Sequence, residues 1–285
     1  MIGQLAVEVA SDGGVSRVLR LSSRPPLSAK VLDGAHGPVL MLIGSAAGLL
    51  EGDRSSIELD LHPGTSLTVG SVAATLAHPC PGGGWTAASV SARLGTGARL
   101  AWLPEPLVAC GGGRHRGRAT VALAPGAAAV WYEAVTLGRS GEAPGLVDLR
   151  FDSTLAGAPL LRDGLRAGVG SGGGALDDLG ASPALLGAAR HVGSVLLVGR
   201  RPAAAGMAAV GTAAGTAAAG TGELLLAGPG AVVRAVAPTA AGLQPMLAPA
   251  VSRFLDLLHR DPIDPAHDPA HDPAPATTKE ELVHG

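Results

Sequence analysis

A repeated pattern of two β-like runs around a glycine turn is the feature that most constrains this sequence. The turns lie at Gly64, Gly97 and Gly126, so successive turns are separated by 33 and 29 residues. Pro-Gly or Gly-Thr-Gly supplies the positive φ that a turn needs, and alternating apolar and polar residues indicate half-buried strands. A fourth, less polar copy runs from Leu224 to Ala237. Repeated strand pairs of this kind predict an all-β fold of many strands in stacked or coiled sheets, rather than a βαβ fold.

Helical patterns are few. The segment from Thr239 to Arg260 places apolar residues at mostly three- and four-residue steps, which predicts one amphipathic helix with a break near Pro249. A second, short helix is predicted from Ser182 to His191, since serine caps helices and the following proline suits the first helical position. We therefore expect about two helices, one of them near the C-terminus.

The end of the sequence differs from the rest. Residues 1–260 are interpreted as one β domain, and residues 261–285 as a disordered tail, because that segment is polar and spaced by prolines. Its imidazole and carboxylate groups have the chemistry to hold Ni²⁺ or Zn²⁺ weakly, although a solvated linker is the favoured interpretation. These groups are His267, His271, Asp264, Asp268 and Asp272.

Composition excludes several classes of protein. The net charge of −2 offers no general basic field for nucleic acid. The N-terminal residues lack the basic start and apolar core of a secretory signal, and the Ala- and Gly-rich stretch 203–222 is too weakly apolar for a membrane span. Cys80 and Cys110 have no CxxC spacing, which favours a reducing compartment. We expect a soluble cytoplasmic protein without nucleic-acid or membrane partners.

Catalytic and nucleotide-binding motifs are missing from the sequence. There is no G-x-x-x-x-G-K-[ST] loop, no HExxH and no G-x-S-x-G elbow. No histidine in residues 1–260 pairs with cysteine or carboxylate at the spacing of a zinc site. We therefore expect a protein that is not an enzyme and holds no cofactor tightly.

Several charged residues stand at glycine- or proline-rich bends beside apolar strands. Asp53 and Glu133 adjoin segments that we expect to be buried, where an unpaired charge is costly. Two interpretations stay open: internal ion pairs with Arg54 and Arg139, or a carboxylate-lined passage or binding surface. Glu105 lies between two prolines, which hold it on a stiff, extended segment.

A local basic patch follows that segment. It consists of Arg114, His115, Arg116 and Arg118. A surface for an acidic partner and a solvated strand face are both compatible with it.

Four stretches, taken in order, carry a resemblance to a known family. They are residues 48–70 with a Gly-Asp-Arg turn, residues 100–129 with Trp-Leu-Pro-Glu-Pro, residues 132–142 with Gly-Arg-Ser-Gly-Glu, and residues 159–167 with Leu-Arg-Asp-Gly-Leu-Arg. In this order and spacing the chain resembles the UreD family of urease accessory proteins, also called UreH. It departs from the family pattern at residues 68–76, which are less polar and basic than usual, and at residues 107–110.

The resemblance implies a non-catalytic, all-β scaffold with a couple of helices. Such proteins bind UreF, which recruits the GTPase UreG, and dock on apo-urease, and nickel is thought to pass transiently through the scaffold. Applied to this chain, the resemblance points to Asp53, Glu133 and Glu142 as carboxylates of a nickel passage. It assigns partner-binding or structural roles to Arg54, Trp102, Glu105 and Arg139.

Two alternatives belong to other classes. One is a β-sandwich hydrolase that uses Glu105 and Glu133 as paired carboxylates. The other is a carbohydrate- or peptide-binding β-module, which the shortage of Trp and Tyr disfavours.

Truncation after Arg260 tests the division into domain and tail. Because residues 261–285 lack an apolar face, we expect the shortened protein to keep its far-UV circular dichroism spectrum and its binding to UreF. Loss of urease activation only at limiting nickel, with folding preserved, would instead make His267 and His271 metal ligands.

Overall fold

The structure is a computed structural model that describes residues 1–168, 186, 189–202 and 219–260. Strands make up most of these residues. Within those ranges there are seventeen strands and one long helix. In chain order they are β1 (Ile2–Asp12), β2 (Val15–Arg24), β3 (Leu27–Leu32), β4 (Val39–Gly44), β5 (Arg54–Leu61), β6 (Ser66–Ser71), β7 (Thr75–Ala77), β8 (Thr86–Leu94), β9 (Arg99–Leu103), β10 (Leu107–Ala109), β11 (Arg114–Leu123), β12 (Ala128–Leu137), β13 (Leu146–Leu155), β14 (Ala158–Ala167), β15 (His191–Val198), β16 (Gly220–Leu225), β17 (Gly230–Ala237) and α1 (Ala240–His259).

The strands form two sheets, and the chain passes repeatedly from one sheet to the other. The seven-stranded sheet has the order β14-β13-β11-β8-β5-β1-β2, and the ten-stranded sheet has the order β16-β17-β15-β12-β9-β6-β4-β3, with β10 beside β12 and β7 beside β10. Strands β5, β8, β11 and β13 run parallel in the first sheet, as do β4, β6, β9 and β12 in the second. Each successive pair, β5–β6, β8–β9 and β11–β12, is therefore one coil of a stack. The prediction of an all-β fold of stacked sheets is confirmed.

The three predicted glycine turns form one edge of this stack. Gly64, Gly97 and Gly126 all have positive φ, and the register offsets β8 from β5 by 33 residues and β11 from β8 by 29, as the turn spacing indicated. The Gly64 N–H donates to the Thr96 carbonyl at 2.8 Å, and the Gly97 N–H to the Pro125 carbonyl at 3.1 Å, so each turn rests on the next.

The strands beside these turns do not pair with each other. β5 and β6 belong to different sheets, and each pairs with its counterpart in the next coil. The turns are corners between sheets, because the repeat supplies every strand with a parallel neighbour one coil away. Only the fourth copy is a true antiparallel hairpin, formed by β16 and β17.

Three apolar clusters are buried in the described residues, and the two larger ones contribute most to holding the layers together. The larger lies between the sheets and contains a stacked pair, Trp102 and Trp131, with ring centroids 4.6 Å apart. The second lies on the outer face of the ten-stranded sheet, where α1 packs against β15, β17 and β12 through five buried side chains. These are Leu243, Leu247, Ala250, Phe254 and Leu258.

Helix α1 matches the predicted range but is not broken at Pro249. Thr239 caps its start by accepting a hydrogen bond from the Gly242 N–H at 3.1 Å. Pro245 and Pro249 lie on the exposed side of the helix. Each lacks an N–H group and leaves one helical carbonyl unpaired, but this carbonyl faces water while the opposite side of the helix stays packed. The break was therefore a wrong prediction.

The other predictions for this part of the chain fall largely outside the described residues. Most of the helix predicted at 182–191 lies outside the described residues. Its predicted last residue, His191, begins strand β15 instead. The predicted tail, residues 261–285, lies wholly outside them.

Replacing Pro249 by Ala tests the packing of α1. The change restores a helical hydrogen bond on the exposed side, and this gain outweighs the greater conformational freedom that alanine gives the unfolded chain. We therefore expect the free energy of unfolding to rise by about 1–2 kcal/mol. Urea denaturation measures this. Ala248→Gly, beside it on the exposed side, should lower the same quantity by about 1 kcal/mol. A loss of stability in Pro249→Ala would contradict a continuous helix.

Candidate functional site

A group of polar side chains lies between the two sheets near the end of the stack. Glu133 belongs to β12, and its residue position faces the same way as Ala129 and Trp131, which are part of the cluster between the sheets. In register it opposes Ser194 of β15, which in turn opposes Arg234 of β17. The three residues form one row across the ten-stranded sheet.

Arg234 connects this row to the opposite sheet. Its Nε donates to the Ser194 hydroxyl at 2.9 Å, and its Nη2 donates to Asp163 Oδ2 at 2.5 Å. Asp163 belongs to β14 and opposes Phe151 of β13 in register. We call Glu133, Asp163, Ser194 and Arg234 the interior polar cluster.

Glu133 is the member of this cluster whose charge is poorly compensated. Burial raises the pKa of Glu133, the Asp163 carboxylate adds to this effect and the Arg234 guanidinium opposes it, so that the pKa is about 7 on balance. Since Arg234 forms its ion pair with Asp163, Glu133 is left as an acid that exchanges its proton near neutral pH.

Asp53 lies elsewhere and is firmly paired. Its side chain is buried and forms an ion pair with the amino group of Met1, and it also accepts a hydrogen bond from the Leu50 N–H at 3.0 Å. Burial raises the pKa of Asp53, but these two hydrogen bonds outweigh it, so the pKa is lowered on balance. The expected partner Arg54 is exposed and takes no part, because it points to the opposite side of the strand that Asp53 precedes.

Glu142 forms an ion pair with Arg139. Its Oε1 accepts from Arg139 Nε at 2.8 Å, and its Oε2 accepts from the backbone N–H groups of Gly111 and Arg139, each at 3.0 Å. The Arg139 hydrogen bond and these backbone donors lower the pKa of Glu142 to about 2. Arg139 is half exposed, so the pair lies at the surface and not in a buried passage.

Glu51 likewise joins two neighbouring connections between strands through its carboxylate. It accepts from the backbone N–H groups of Gly82 at 2.8 Å and Gly84 at 2.5 Å. The glycine-rich connections on this edge of the stack are thus joined to one another by carboxylates, just as the opposite edge is joined by turn glycines. Glu51 and Glu142 have a structural explanation.

Trp102 and Glu105, the first and fourth residues of the Trp-Leu-Pro-Glu-Pro stretch, lie on opposite sides of the sheet. Trp102 is buried against Trp131 between the sheets. Glu105 is exposed, and its charge, after burial, contributes to the raised pKa of Tyr132, which packs beside α1 on the outer face. Glu133 faces the other side of that sheet, so Glu105 and Glu133 do not form the carboxylate pair that a hydrolase would need.

The predicted basic patch loses one member. Arg116 and Arg118 are exposed on the outer face of β11, but His115 faces inward, is buried, and lies 2.8 Å from the Thr86 hydroxyl through Nδ1. Burial lowers the pKa of His115 to about 4, so the imidazole is neutral in the folded protein. Strand alternation explains the difference, because neighbouring residues point to opposite faces.

Other groups do not assemble into a metal centre. Among the residues that the structure describes, no three His, Cys, Asp or Glu side chains are close enough to hold a metal ion together. Cys80 and Cys110 are buried, free thiols. No helix in the same part of the chain is long and apolar enough to cross a membrane.

Sequence reasoning missed three members of the interior polar cluster. Asp163 lies in a stretch that carried the family resemblance, but its role was not recognised. Arg234 and Ser194 are the polar positions facing inward in the otherwise apolar strands β17 and β15. An arginine within a strand as apolar as Gly230–Ala237 was the available signal, since such a charge needs a buried partner.

Comparison with known proteins identifies the family. A profile of the UreD urease accessory protein family matches residues 1–268. A urease accessory protein UreD of Parafrankia sp. (strain EAN1pec) is 36% identical over 261 residues, 84% of each chain. One of Streptomyces coelicolor is 35% identical over 243 residues, covering 85% of this chain and 92% of the relative. The chain belongs to the UreD family. Its relatives are accessory proteins and not the enzyme urease.

The two departures from the UreD family pattern lie side by side in the structure. The first two residues of strand β7 end the first departure, and they pair with β10, within the second, so that Thr75 opposes Leu107 and Leu76 opposes Val108. Both changes affect one small ladder in the connections between coils.

Glu133→Gln tests the electrostatics of the interior polar cluster. Between about pH 4.5 and 7 the folded protein retains a proton on Glu133 that the unfolded chain has released, so this residue lowers stability as the pH rises. We expect the variant to gain up to about 3 kcal/mol in free energy of unfolding at pH 8. Urea denaturation at several pH values measures this.

His115 changes the stability with pH in the opposite direction to Glu133, and this difference provides a control. The unfolded chain protonates this histidine below pH 6.5 while the folded protein does not until about pH 4, so acid destabilises the fold through His115. Once Glu133 no longer opposes this effect, Glu133→Gln should lose more stability than the parent protein between pH 7 and 5. An unchanged pH profile would contradict the raised pKa of Glu133.

Proposed function

We propose that this protein is a non-catalytic scaffold in urease maturation that binds UreF, UreG through UreF, and apo-urease, and that helps to deliver nickel to the urease active site. Membership of the UreD family supports the accessory role. The proposed place of action is the cytoplasm, and nickel is a transient cargo of the scaffold.

The observation that carries the nickel route is the uncompensated acid in the interior polar cluster. A passage needs acidic groups that are withdrawn from water yet not neutralised by arginine, because a firm ion pair would compete with the metal. Glu133 meets this condition, since Arg234 bonds to Asp163 instead. A carboxylate that exchanges its proton near pH 7 is able to take up Ni²⁺ and release it.

Two further polar atoms lie in the same interior. Trp131 Nε1 and Ser153 Oγ are buried without a hydrogen-bond partner among the described residues. Trp131 precedes Glu133 on the same face of β12, and its ring lies 5.3 Å from that of Phe151, the register neighbour of Asp163. Buried polar groups of this kind favour a hydrated route over a closed apolar core.

The other two proposed passage residues fit less well. Asp53 is bound by the Met1 amino group, and Glu142 by Arg139 and two backbone N–H groups. Each already has strong donors on its oxygens, so a passing metal would have to displace them. We propose Glu133 as the principal nickel-contacting acid and assign Asp53 and Glu142 to holding the connections between coils.

The proposed UreF contact is the region of α1 and its neighbouring strands. Arg253 of α1 donates to Glu223 of β16 at 2.6 Å, which joins helix and strand into one surface. Leu224, 63% exposed, lies on the other face of that edge strand. A second exposed apolar group lies on the N-terminal strands β2 and β3, far from α1 in the sheet order. Its largest members are Val15, Leu19, Leu21, Val31 and Leu32. We propose that this edge meets another component of the assembly.

Glu133→Gln also tests the nickel route. The change keeps the shape of the side chain but removes its charge, so we expect the complex with UreF and apo-urease to assemble while the nickel content and activity of the urease fall. Pull-down of the complex and metal analysis of the urease are measured on the same preparation.

Glu58→Gln is the matched control, because Glu58 is exposed on the outer face of the seven-stranded sheet. It should change neither assembly nor nickel content. Full nickel content with Glu133→Gln would overturn the role of this residue, and so would loss of assembly together with activity.

A further inference from the structure

The outer face of the seven-stranded sheet carries a groove that the proposed nickel route does not use. Its volume is about 660 Å³, and it runs along strand β8 near the start of that strand. Glu133 lies on the far side of this sheet, between the two sheets, so the groove and the interior polar cluster are separate.

Small side chains form the floor of the groove and arginines form its sides. Ala87 and Ser89 of β8 point outward, with Arg54 of β5 on one side and Arg116 of β11 on the other in register with Ala87. Two strand spacings separate those arginine backbones, roughly 10 Å. Arg118 stands beside Ser89 in the next outward row.

The charges of this groove are strongly unbalanced. Four arginines, Arg54, Arg116, Arg118 and Arg150, line it together with one carboxylate, Asp148. The net charge of the whole chain is only −2. We call this surface the arginine groove.

Part of the positive charge is held in place and part is free. Asp148 is shared between Arg116, at 3.9 Å, and Arg150, at 3.5 Å, and the Arg116 guanidinium also lies 4.2 Å from the centre of the Trp85 ring. Arg54 and Arg118 are exposed and make no ion pair with any residue that the structure describes. The fixed arginines build the groove, and the free ones are available to a ligand.

The same face of the sheet is differently charged farther along β8. There Arg93 is opposed in register by Asp60, and Glu8, Glu58 and Arg20 line a smaller depression with them. Three carboxylates outnumber two arginines in that region, so it offers no comparable positive field. Of these two regions along β8, only the arginine groove has an excess of positive charge.

We propose that the arginine groove docks an extended, acidic segment of a partner protein. Alternate residues of an extended chain repeat every ~6.6 Å, which is also the spacing between Arg116 and Arg118 on one face of β11. A segment with an acid at every second residue therefore meets Arg116 and Arg118 in turn, while Arg54 approaches it from the other side. The small floor residues leave room for its backbone.

The surroundings favour a protein over a nucleic acid. The acids Glu8, Glu58 and Asp60 lie farther along the same face, where they would repel the continuing phosphates of a longer nucleic acid. Asp148 stands among the arginines themselves. A short acidic segment matches both the length and the sign of the field.

Fluorescence anisotropy with the full-length protein tests the proposal. The probe is a labelled, end-blocked peptide of four glutamates alternating with four serines, in 50 mM salt. We expect Arg54→Glu and Arg118→Glu each to weaken binding about fivefold, the double variant about 25-fold, and high salt to weaken it for the parent protein. Arg93→Glu, the same charge change on the same face of β8, should stay within about twofold of the parent.

Competition and neutral variants complete the test. An oligothymidylate with four phosphates should displace the peptide only at higher concentration than unlabelled peptide does. Should a charge reversal impair folding by circular dichroism, the double variant Arg54→Gln with Arg118→Gln serves instead, with about a fourfold loss. The proposal is overturned if Arg93→Glu weakens binding as much as Arg118→Glu, if the arginine variants bind like the parent, or if the oligonucleotide is the better competitor.

Discussion

The parallel register between successive coils is the constraint on which the rest of this structure depends. It places Leu61, Leu94, Leu123 and Leu155 opposite one another on four neighbouring strands. The same register sets each turn glycine where its N–H reaches the carbonyl before the next turn glycine. Aromatic residues are only 2% of the chain, and a core of Leu, Val and Ala is sufficient because each coil buries the apolar side chains of its neighbours.

The interior polar cluster lies where this repetition ends. Strands β15 and β17 join the ten-stranded sheet antiparallel, outside the coil repeat, and they bring Ser194 and Arg234 beside Glu133. Asp163 comes from β14, the antiparallel edge strand of the other sheet. Within the repeat, most inward positions are opposed by an apolar residue of the next coil, and the buried pair of Thr86 and His115 is an exception. At the end of the repeat no apolar partner from a next coil is required, so charged side chains are able to face one another between the sheets.

Much of the fold was predictable from the sequence, but the candidate site was not. The turn spacing fixed the offset between coils, and the apolar periodicity located α1, because both are local patterns. Which strands would pair was not local, so corners between sheets were read as strand pairs. Charge partners were hardest to predict: Asp53 meets the amino group of Met1, and Arg234 meets Asp163, 71 residues away. Sequence reasoning placed Glu133 at a bend beside a buried strand and offered Arg139 as a partner, whereas Glu133 lies within β12 and Arg139 pairs with Glu142.

Strand alternation and register together separate the two charged regions of the protein. On β11, Arg116 and Arg118 face water, whereas His115 lies between the sheets and is neutral. On β12, Glu133 faces inward and Tyr132 packs under α1. A slip of one residue in any coil would turn the arginines into the core and the leucines out to solvent. The register that buries the leucine ladder is therefore the same one that aligns the arginine groove across β5, β8 and β11, so the alignment of one cannot change without the other.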